Sequence, residues 1–250
     1  MPFLNYDQLE LRYEPFPIGL AKPAIEPGLY DRLVGSYPPK DLFEYIPKIG
    51  KKYSLSERNN AKGYRAFLHD TPAWREFHDW VKTEDFILGV VQALKQHRVD
   101  TGLDRPLHGA KLARKVLQNL KKGRLGTGQP RLNARFEFSM LPADGGSVIP
   151  HTDAPGKFIT LVVSMLREGE WDPACGGGTD VNKPKDPALT YNELNRQAEF
   201  GEMEILDTFA FEPNQAVIFV KTFNSWHSVR PMTGANGAMR KTLTINIEDR

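Results

Sequence analysis

The chain has 250 residues, of which 40% are hydrophobic and 26% charged, as is ordinary for a soluble globular protein. Its formal net charge is +2, and this near balance argues against the concentrated basic surface that nucleic-acid binding requires. The single cysteine, Cys175, excludes an intrachain disulfide and fits a reducing compartment. The N-terminal residues do not form a signal peptide, and no apolar run reaches the length of a membrane span. Composition therefore predicts a cytoplasmic protein with no membrane association.

Residues 1–125 are predicted to form a mostly helical support. The proline-rich segment 11–25 is expected to be extended and favours an edge strand. Thr71 and Pro72 are suited to the N-cap and first position of a helix, and Gly123 is suited to a helix end. The segments predicted to be helical are 26–38, 71–81, 85–97 and 107–123.

From about Arg131 the pattern changes to short runs rich in Val, Ile, Phe and Thr, separated by Gly, Pro, Asn and Asp. Such runs predict strands, and their number indicates a barrel or a two-sheet sandwich. The predicted strands are 131–141, 148–154, 157–166, 203–212, 216–221, 227–232 and 240–248. We predict one domain, 1–250, with a β core over 131–250.

A long polar stretch, 167–202, interrupts the predicted strands. A stretch of this length inside a compact domain is typical of a lid, a binding loop or an insert. Trp171, Tyr191 and the glycine run at 176–178 would suit a mobile cover. A plain surface loop is the equally weighted alternative.

Three residues provide the chemistry of a metal site: His151 and Asp153 in IPHTDAP, and His227 in NSWHSVRP. On a strand, residues two apart point to the same side, so the first pair can reach one ion. A barrel can bring His227 to them from another strand. Two imidazoles and one carboxylate hold non-haem Fe(II) and leave an open face, and they also suit zinc. The H-x-D pattern alone is weak, and the later residues make it specific.

Arg240 follows His227 by thirteen positions, and Thr242 lies on the same face of the predicted strand. A guanidinium and a hydroxyl together suit a carboxylate, because arginine can bind both of its oxygens. The alternative is that Arg240 pairs with a nearby acid, Glu248 or Asp249. Its place after a metal histidine favours the ligand interpretation.

The other four histidines are weaker candidates for a metal site. His69 and His78 each precede an aspartate in or beside a predicted helix, and we interpret them as capping or surface residues. His97 lies near a helix end, where a cation suits the helix dipole. His108 has no visible partner in the sequence.

With these residues in hand, the second half resembles the Fe(II)/2-oxoglutarate-dependent oxygenase superfamily, and most closely its prolyl 4-hydroxylase-like branch. The resemblance implies an α+β, mainly β fold with a double-stranded β-helix (jelly-roll, cupin-like) core and N-terminal supporting helices. It implies iron bound by His151, Asp153 and His227, and the distal carboxylate of 2-oxoglutarate bound by Arg240 with the help of Thr242. The motifs that carry it, between Arg131 and Glu248, are LPADGGSVIPHTD, FITLVVSML, GGGT, FEPNQAVIFVKTFNSWHSVRPM and RKTLTI.

The sequence departs from this branch at two positions. Members often carry a tyrosine ten residues before the first metal histidine, where this chain has Leu141. A second co-substrate tyrosine often lies on the following strand, near Ser164 and Met165 here. The co-substrate pocket must therefore be completed by other groups, for which Asn133, Arg135 and Ser164 are candidates.

The function expected from the resemblance is that of a dioxygenase using Fe(II), 2-oxoglutarate and O₂. It would hydroxylate a C–H bond of a small metabolite, an amino acid or a peptidyl residue and release succinate and CO₂. The retained Asp153 favours hydroxylation, or a demethylation that follows from it, since related halogenases lose this carboxylate. The alternatives are a Zn(II)-dependent hydrolase, which has no general need for Arg240, and a non-catalytic β-barrel binding protein, against which the intact triad argues.

Overall fold

A computed structural model describes residues 4–121 and 131–249. Within these ranges the helices are α1 (Pro27–Gly35), α2 (Ala61–Asp70), α3 (Pro72–Val81), α4 (Glu84–Gln96) and α5 (Gly109–Lys121). The strands are β1 (Leu9–Arg12), β2 (Ile18–Ala21), β3 (Glu44–Ile46), β4 (Lys52–Ser56), β5 (Leu132–Pro142), β6 (Val148–His151), β7 (Lys157–Ser164), β8 (Thr179–Pro184), β9 (Met203–Phe209), β10 (Ala216–Val220), β11 (His227–Val229) and β12 (Met239–Asp249). The helix end predicted at Gly123 lies outside the described residues.

Two antiparallel sheets form the β core, and the chain passes repeatedly between them. The larger sheet has the order β1-β2-β10-β7-β12-β5-β4-β3, and the smaller one has the order β6-β11-β8-β9. From β5 to β12 the chain changes sheet at every connection except that from β8 to β9. This interleaving of eight strands is a double-stranded β-helix, so the predicted fold class is confirmed.

Residues of the larger sheet alternate between two environments. On β12, Leu243, Ile245 and Ile247 are fully buried in the main hydrophobic cluster, whereas Arg240 and Thr242 lie on the opposite face. The outer face is therefore covered by apolar packing, and the inner face is free to carry polar side chains.

Aromatic packing joins the supporting helices to the outer face of the larger sheet. Trp74 and Phe77 of α3 are fully buried and meet Phe136 and Phe138 of β5 edge to face, with 4.7 Å between the ring centroids of Trp74 and Phe138. The amphipathic spacing that predicts the helix over 71–81 is thus explained by burial against this sheet.

The N-terminal half contributes more strand than the sequence predicts. β1 to β4 all join the larger sheet, and β2 lies between β1 and β10 instead of at an edge. The edge-strand prediction for 11–25 is confirmed for Leu11 and Arg12, which end the edge strand β1. It is wrong for β2, because Pro17 and Pro23 lie just outside β2 and block neither of its ladders. Gly19 also permits a close approach, since a Cβ there would lie 2.0 Å from the carbonyl oxygen of Glu10.

The interpretation of 167–202 as one insert or lid is wrong for its middle, which is β8. This strand lies between β11 and β9 in the smaller sheet. Its polar residues Asp180 and Asn182 are buried, although their polarity predicts exposure. Asp180 accepts a hydrogen bond from Thr208 Oγ1 at 2.7 Å, and Asn182 Nδ2 donates to Ser228 Oγ at 2.8 Å. Polar side chains are tolerated in a buried strand when they find partners in this way.

The two aromatic residues predicted to cover the site differ in their surroundings. Trp171 is buried, packs against Phe211 with 5.5 Å between ring centroids, and donates to the carbonyl of Gly176 at 3.0 Å, so it belongs to the core. Tyr191 is 62% exposed and stacks on Phe223. No helix in the described ranges has the length and apolar character needed to cross a bilayer.

Candidate metal centre

The structure brings His151, Asp153 and His227 together. His151 ends β6, His227 begins β11, and the two residues are directly paired across these neighbouring strands. One ligand atom from each of the three side chains lies within 4.8 Å of the others. Asp153 reaches the group from just beyond the end of β6, not from the strand itself as its spacing predicts.

Both imidazoles are held in the form that binds a metal. Nδ1 of His151 lies 2.9 Å from the carbonyl oxygen of Ile149, and Nδ1 of His227 lies 2.9 Å from that of Ser225. A neutral imidazole that donates through Nδ1 leaves a lone pair on Nε2. Burial, aided by the neighbouring His227, lowers the pKa of His151 to about 3. Burial also lowers the pKa of His227, so both rings are neutral at pH 7.

Asp153 is fixed by a hydrogen bond to each of its oxygens. Lys157 Nζ donates to Oδ1 and Thr160 Oγ1 donates to Oδ2, both at 2.5 Å. Burial acts to raise the pKa of Asp153, but the charge of Lys157 prevails and holds it well below its usual range. The group is therefore an oriented carboxylate, and such partners are known to tune metal ligands.

Asn246 extends this arrangement by one residue. Thr160 Oγ1 lies 3.0 Å from Oδ1 of Asn246, whose Nδ2 has no hydrogen-bond partner among the described residues. One hydroxyl hydrogen cannot serve both Asp153 and Asn246. Turning the amide so that Nδ2 faces Thr160 gives a continuous chain of donors from Asn246 through Thr160 to Asp153.

Arg240 lies in the same cavity and does not pair with a nearby acid. Its Nε donates to the carbonyl of Gly177 at 2.5 Å, and its guanidinium lies 4.4 Å from the ring centroid of Phe211. Burial lowers its pKa to about 10, which leaves it charged at neutral pH. Glu248 pairs instead with Arg58 and Arg135, and Asp249 with Lys115, so the alternative partners predicted for Arg240 are wrong.

The glycine run of GGGT explains how a backbone carbonyl reaches this guanidinium. Gly177 has a φ of +87°, in the left-handed region that favours glycine. At Gly178 a Cβ would lie 2.6 Å from the carbonyl oxygen of Phe209. The run is therefore required by close backbone packing, and it holds Arg240 in place.

All five residues of the predicted site line one cavity of about 150 Å³ between the two sheets, the fifth being Thr242. Of the groups considered for completing the pocket, Arg135 lines this cavity, whereas Asn133 and Ser164 are not among its lining residues. The sequence did not identify Lys52, Glu137, Lys157 or Thr160 as part of it. Alternation along β5 from Arg135 indicates Glu137, but no comparable signal identifies Lys52 on the separate strand β4.

Glu137 forms the centre of a buried charged cluster on the cavity wall. It is 4% exposed, and its Oε1 accepts from Lys52 Nζ at 2.5 Å and from Ser54 Oγ at 2.9 Å. Nη1 of Arg135 lies 3.5 Å from Oε2 of Glu137. Burial alone would raise the pKa of Glu137, but Lys52 and Arg135 lower it to about 2.

Comparison with known proteins gives matches in structure only. No protein-family model matches the sequence, and neither does any curated protein. A prolyl 4-hydroxylase from Phytophthora capsici superposes with a TM-score of 0.50 at 14% identity, over 93% of this chain and 58% of the other. A prolyl-4-hydroxylase from Pseudomonas putida gives 0.45 at 14% identity, over 93% and 92%. HygX from Streptomyces hygroscopicus, solved with nickel and 2-oxoglutarate bound, gives 0.47 at 8% identity, over 93% and 82%.

The first of these likenesses supports the double-stranded β-helix that the strand order already shows. This chain spans little more than half of the Phytophthora chain's length. At such low identity the likeness concerns the fold, and function has to be inferred from the site itself.

Proposed function

We propose that the protein is an Fe(II)- and 2-oxoglutarate-dependent dioxygenase that hydroxylates a C–H bond of its substrate and releases succinate and CO₂. The observation that carries this proposal is the presence of two neutral imidazoles, one carboxylate and one buried arginine in a single cavity. The proposed location is the cytoplasm, where Cys175 and Fe(II) would both stay reduced.

The donor atoms present fit the proposed metal. His151 and His227 each offer a nitrogen lone pair and Asp153 an oxygen, which is the facial set of non-haem iron oxygenases. When bound, iron supplies the oxidative chemistry with 2-oxoglutarate and O₂. The protein has to position the reactants and keep water away, and the burial of Asp153 and His227 suits that task.

The remaining residues have distinct roles in binding and orientation. Arg240 would bind the distal carboxylate of 2-oxoglutarate through its guanidinium, whose Nε and one face are already fixed by Gly177 and Phe211. This fixed orientation reduces the entropy lost on binding. Thr242, the next residue on the same face, supplies a hydroxyl beside it. Lys157 and Thr160 keep the metal-binding carboxylate ionised and oriented.

A Zn(II) hydrolase is the competing function, because the same three ligands suit zinc. A hydrolase has no general use for a buried arginine in the cavity that holds its metal ligands. Nε of Arg240 donates to the backbone carbonyl of Gly177, and the guanidinium charge has no acidic partner among the described residues. An anionic co-substrate accounts for that unpaired charge.

The test is succinate formation from 2-oxoglutarate in the presence of Fe(II) and O₂. We expect slow formation by the wild-type protein and none by His151→Ala or Asp153→Ala. His69→Ala is the matched control, since His69 is 83% exposed in its side chain, and it should behave as wild type. Circular dichroism checks that each variant is folded. Equal succinate formation by the ligand variants, or none by the wild type, would contradict the proposal.

A further inference from the structure

We infer that the substrate of the proposed dioxygenase carries an oxyanion, a carboxylate or a phosphate, that binds between Lys52 and Arg135 on the wall formed by β4 and β5. This inference rests on the proposed function and adds the chemical class of the substrate. Three features of the described residues support it.

The first feature is the charge of the cavity. Its lining contains four cations and two anions, so the acidic and basic side chains that face it leave a net charge of +2. Fe(II) and the 2-oxoglutarate dianion have opposite charges of equal size and leave this sum unchanged. A positive charge in a cavity with low-dielectric walls attracts an anion. The charged lining residues are Lys52, Arg135, Lys157, Arg240, Glu137 and Asp153.

The second feature is an unfilled hydrogen-bonding capacity. The Nε of Arg135 is buried and has no hydrogen-bond partner among the described residues, being 3.7 Å from Oε2 of Glu248. A buried donor without an acceptor is costly. Lys52 has three N–H donors and gives one to Glu137, to which Arg135 is also drawn. Glu137 thus contacts the charged groups of both Lys52 and Arg135, and each of these cations retains N–H donors that Glu137 does not accept from.

The third feature is the position of Arg135 relative to Arg240. Lys52 lies on β4 next to the Tyr53–Met140 pair, and its Nζ extends from there to Glu137, two residues from Arg135 on β5. In the register of β5 and β12, Arg135 lies opposite Asn246, and Leu141 lies opposite Arg240. Six residues separate the two positions, or about 20 Å of strand. Asn246 is also paired with Thr160, which binds Asp153, so the metal ligands lie toward the Arg135 end. A co-substrate that extends from the metal to Arg240 leaves the Arg135 end to the substrate.

The alternative is that the charged cluster only joins β4 to β5. Buried ion pairs are a poor means to that end, because their desolvation costs about as much as their attraction returns, and apolar residues stabilise equally well. The cluster also faces the cavity and not the apolar layer between sheet and helices. Both points favour a ligand-binding role.

The experiment uses matched probes with the protein saturated with Mn(II) and 2-oxoglutarate. Propanoate is compared with propanamide, and methylphosphonate with its dimethyl ester, by ligand-observed NMR titration. We expect one of the two anions to bind at least tenfold more tightly than its neutral partner. The tighter anion identifies the group as carboxylate or phosphate. Arg135→Gln should weaken that anion at least tenfold and Lys52→Gln should weaken it too, whereas Arg105→Gln, on the exposed surface, should not.

The outcomes separate this inference from the proposed function. If metal-dependent binding of 2-oxoglutarate is absent, the proposed function fails and the inference fails with it. If 2-oxoglutarate binds but neither anion is preferred over its neutral partner, the inference alone is overturned. It is also overturned if Arg135→Gln weakens 2-oxoglutarate and leaves the anion unaffected. The wild-type comparison of anion with neutral probe does not depend on any variant folding.

Discussion

Replacing Thr160 with valine should weaken metal binding while leaving the three ligands in place. The substitution exchanges a hydroxyl for a methyl group of similar size, and Asp153 Oδ2 loses a donor at 2.5 Å. A buried hydrogen bond to a charged group is worth about 1.5–3 kcal/mol. At about 1.4 kcal/mol for each factor of ten, this corresponds to a roughly 10- to 100-fold loss of affinity. The loss typical of partners that orient metal ligands is of the same size.

The assay is a titration of Mn(II) into the metal-free protein, with affinity measured by calorimetry. Thr160→Ser is the matched control, because it keeps the hydroxyl that donates to Asp153, and its affinity should stay within a few-fold of wild type. Equal affinities for Thr160→Val and wild type would refute the positioning role of Thr160. So would a serine variant as weak as the valine variant.

Further substitutions test other parts of the account. Arg240→Gln should raise the dissociation constant of 2-oxoglutarate by about 100-fold, since a buried charge pair is worth about 2–5 kcal/mol, while Mn(II) affinity measured in the same titration stays unchanged. The pKa of Glu137 is about 2 in the folded protein against 4.5 for the free group, so the unfolded chain is protonated first as pH falls. The ionised Glu137 contributes at most about 3 kcal/mol to the free energy of unfolding, and this contribution is complete above pH 4.5 and is lost toward pH 2. In urea unfolding between these pH values, the free energy of unfolding of Glu137→Gln should therefore fall less steeply than that of the wild type. Gly178→Ala should destabilise the fold by about 1–3 kcal/mol in urea, unlike Gly201→Ala, whose Cβ would meet nothing within 4 Å.

The sequence predicts the β core well because apolar residues alternate along its strands. On β12, Leu243, Ile245 and Ile247 face the helices, and Arg240 and Thr242 face the cavity, so one period-2 pattern indicates both the strand and its functional face. The order of the motifs along the chain is the basis of the family resemblance, which implies that these strands form a double-stranded β-helix. The metal ligands could be selected because His151 and His227 have metal-binding side chains on predicted strands and Asp153 follows His151 by two residues, although Asp153 lies just beyond the end of β6.

The elements that the sequence does not predict are those that break this pattern. β8 contains Asp180 and Asn182 at buried positions, and only their tertiary partners reveal that the strand is internal. Lys52 on β4 is distant in sequence from every motif. The pairing of β4 with β5 sets Ser56 opposite Glu137, and the long side chain of Lys52 reaches Glu137 from further along β4. Long-range pairing of polar residues leaves no local signal, so these parts of the cavity required the structure.

If His151, Asp153 and His227 hold Fe(II) in a cavity that also binds 2-oxoglutarate, an anaerobic spectroscopic titration should detect both ligands at one centre. 2-Oxoglutarate is added to the Fe(II)-loaded protein without O₂, and the visible absorption is recorded. We expect a weak charge-transfer band that saturates at about one equivalent, is absent when Zn(II) replaces Fe(II), and is lost in Asp153→Ala. An Fe(II)-loaded wild-type protein that shows no such band, or a band that survives in Asp153→Ala, would contradict this expectation.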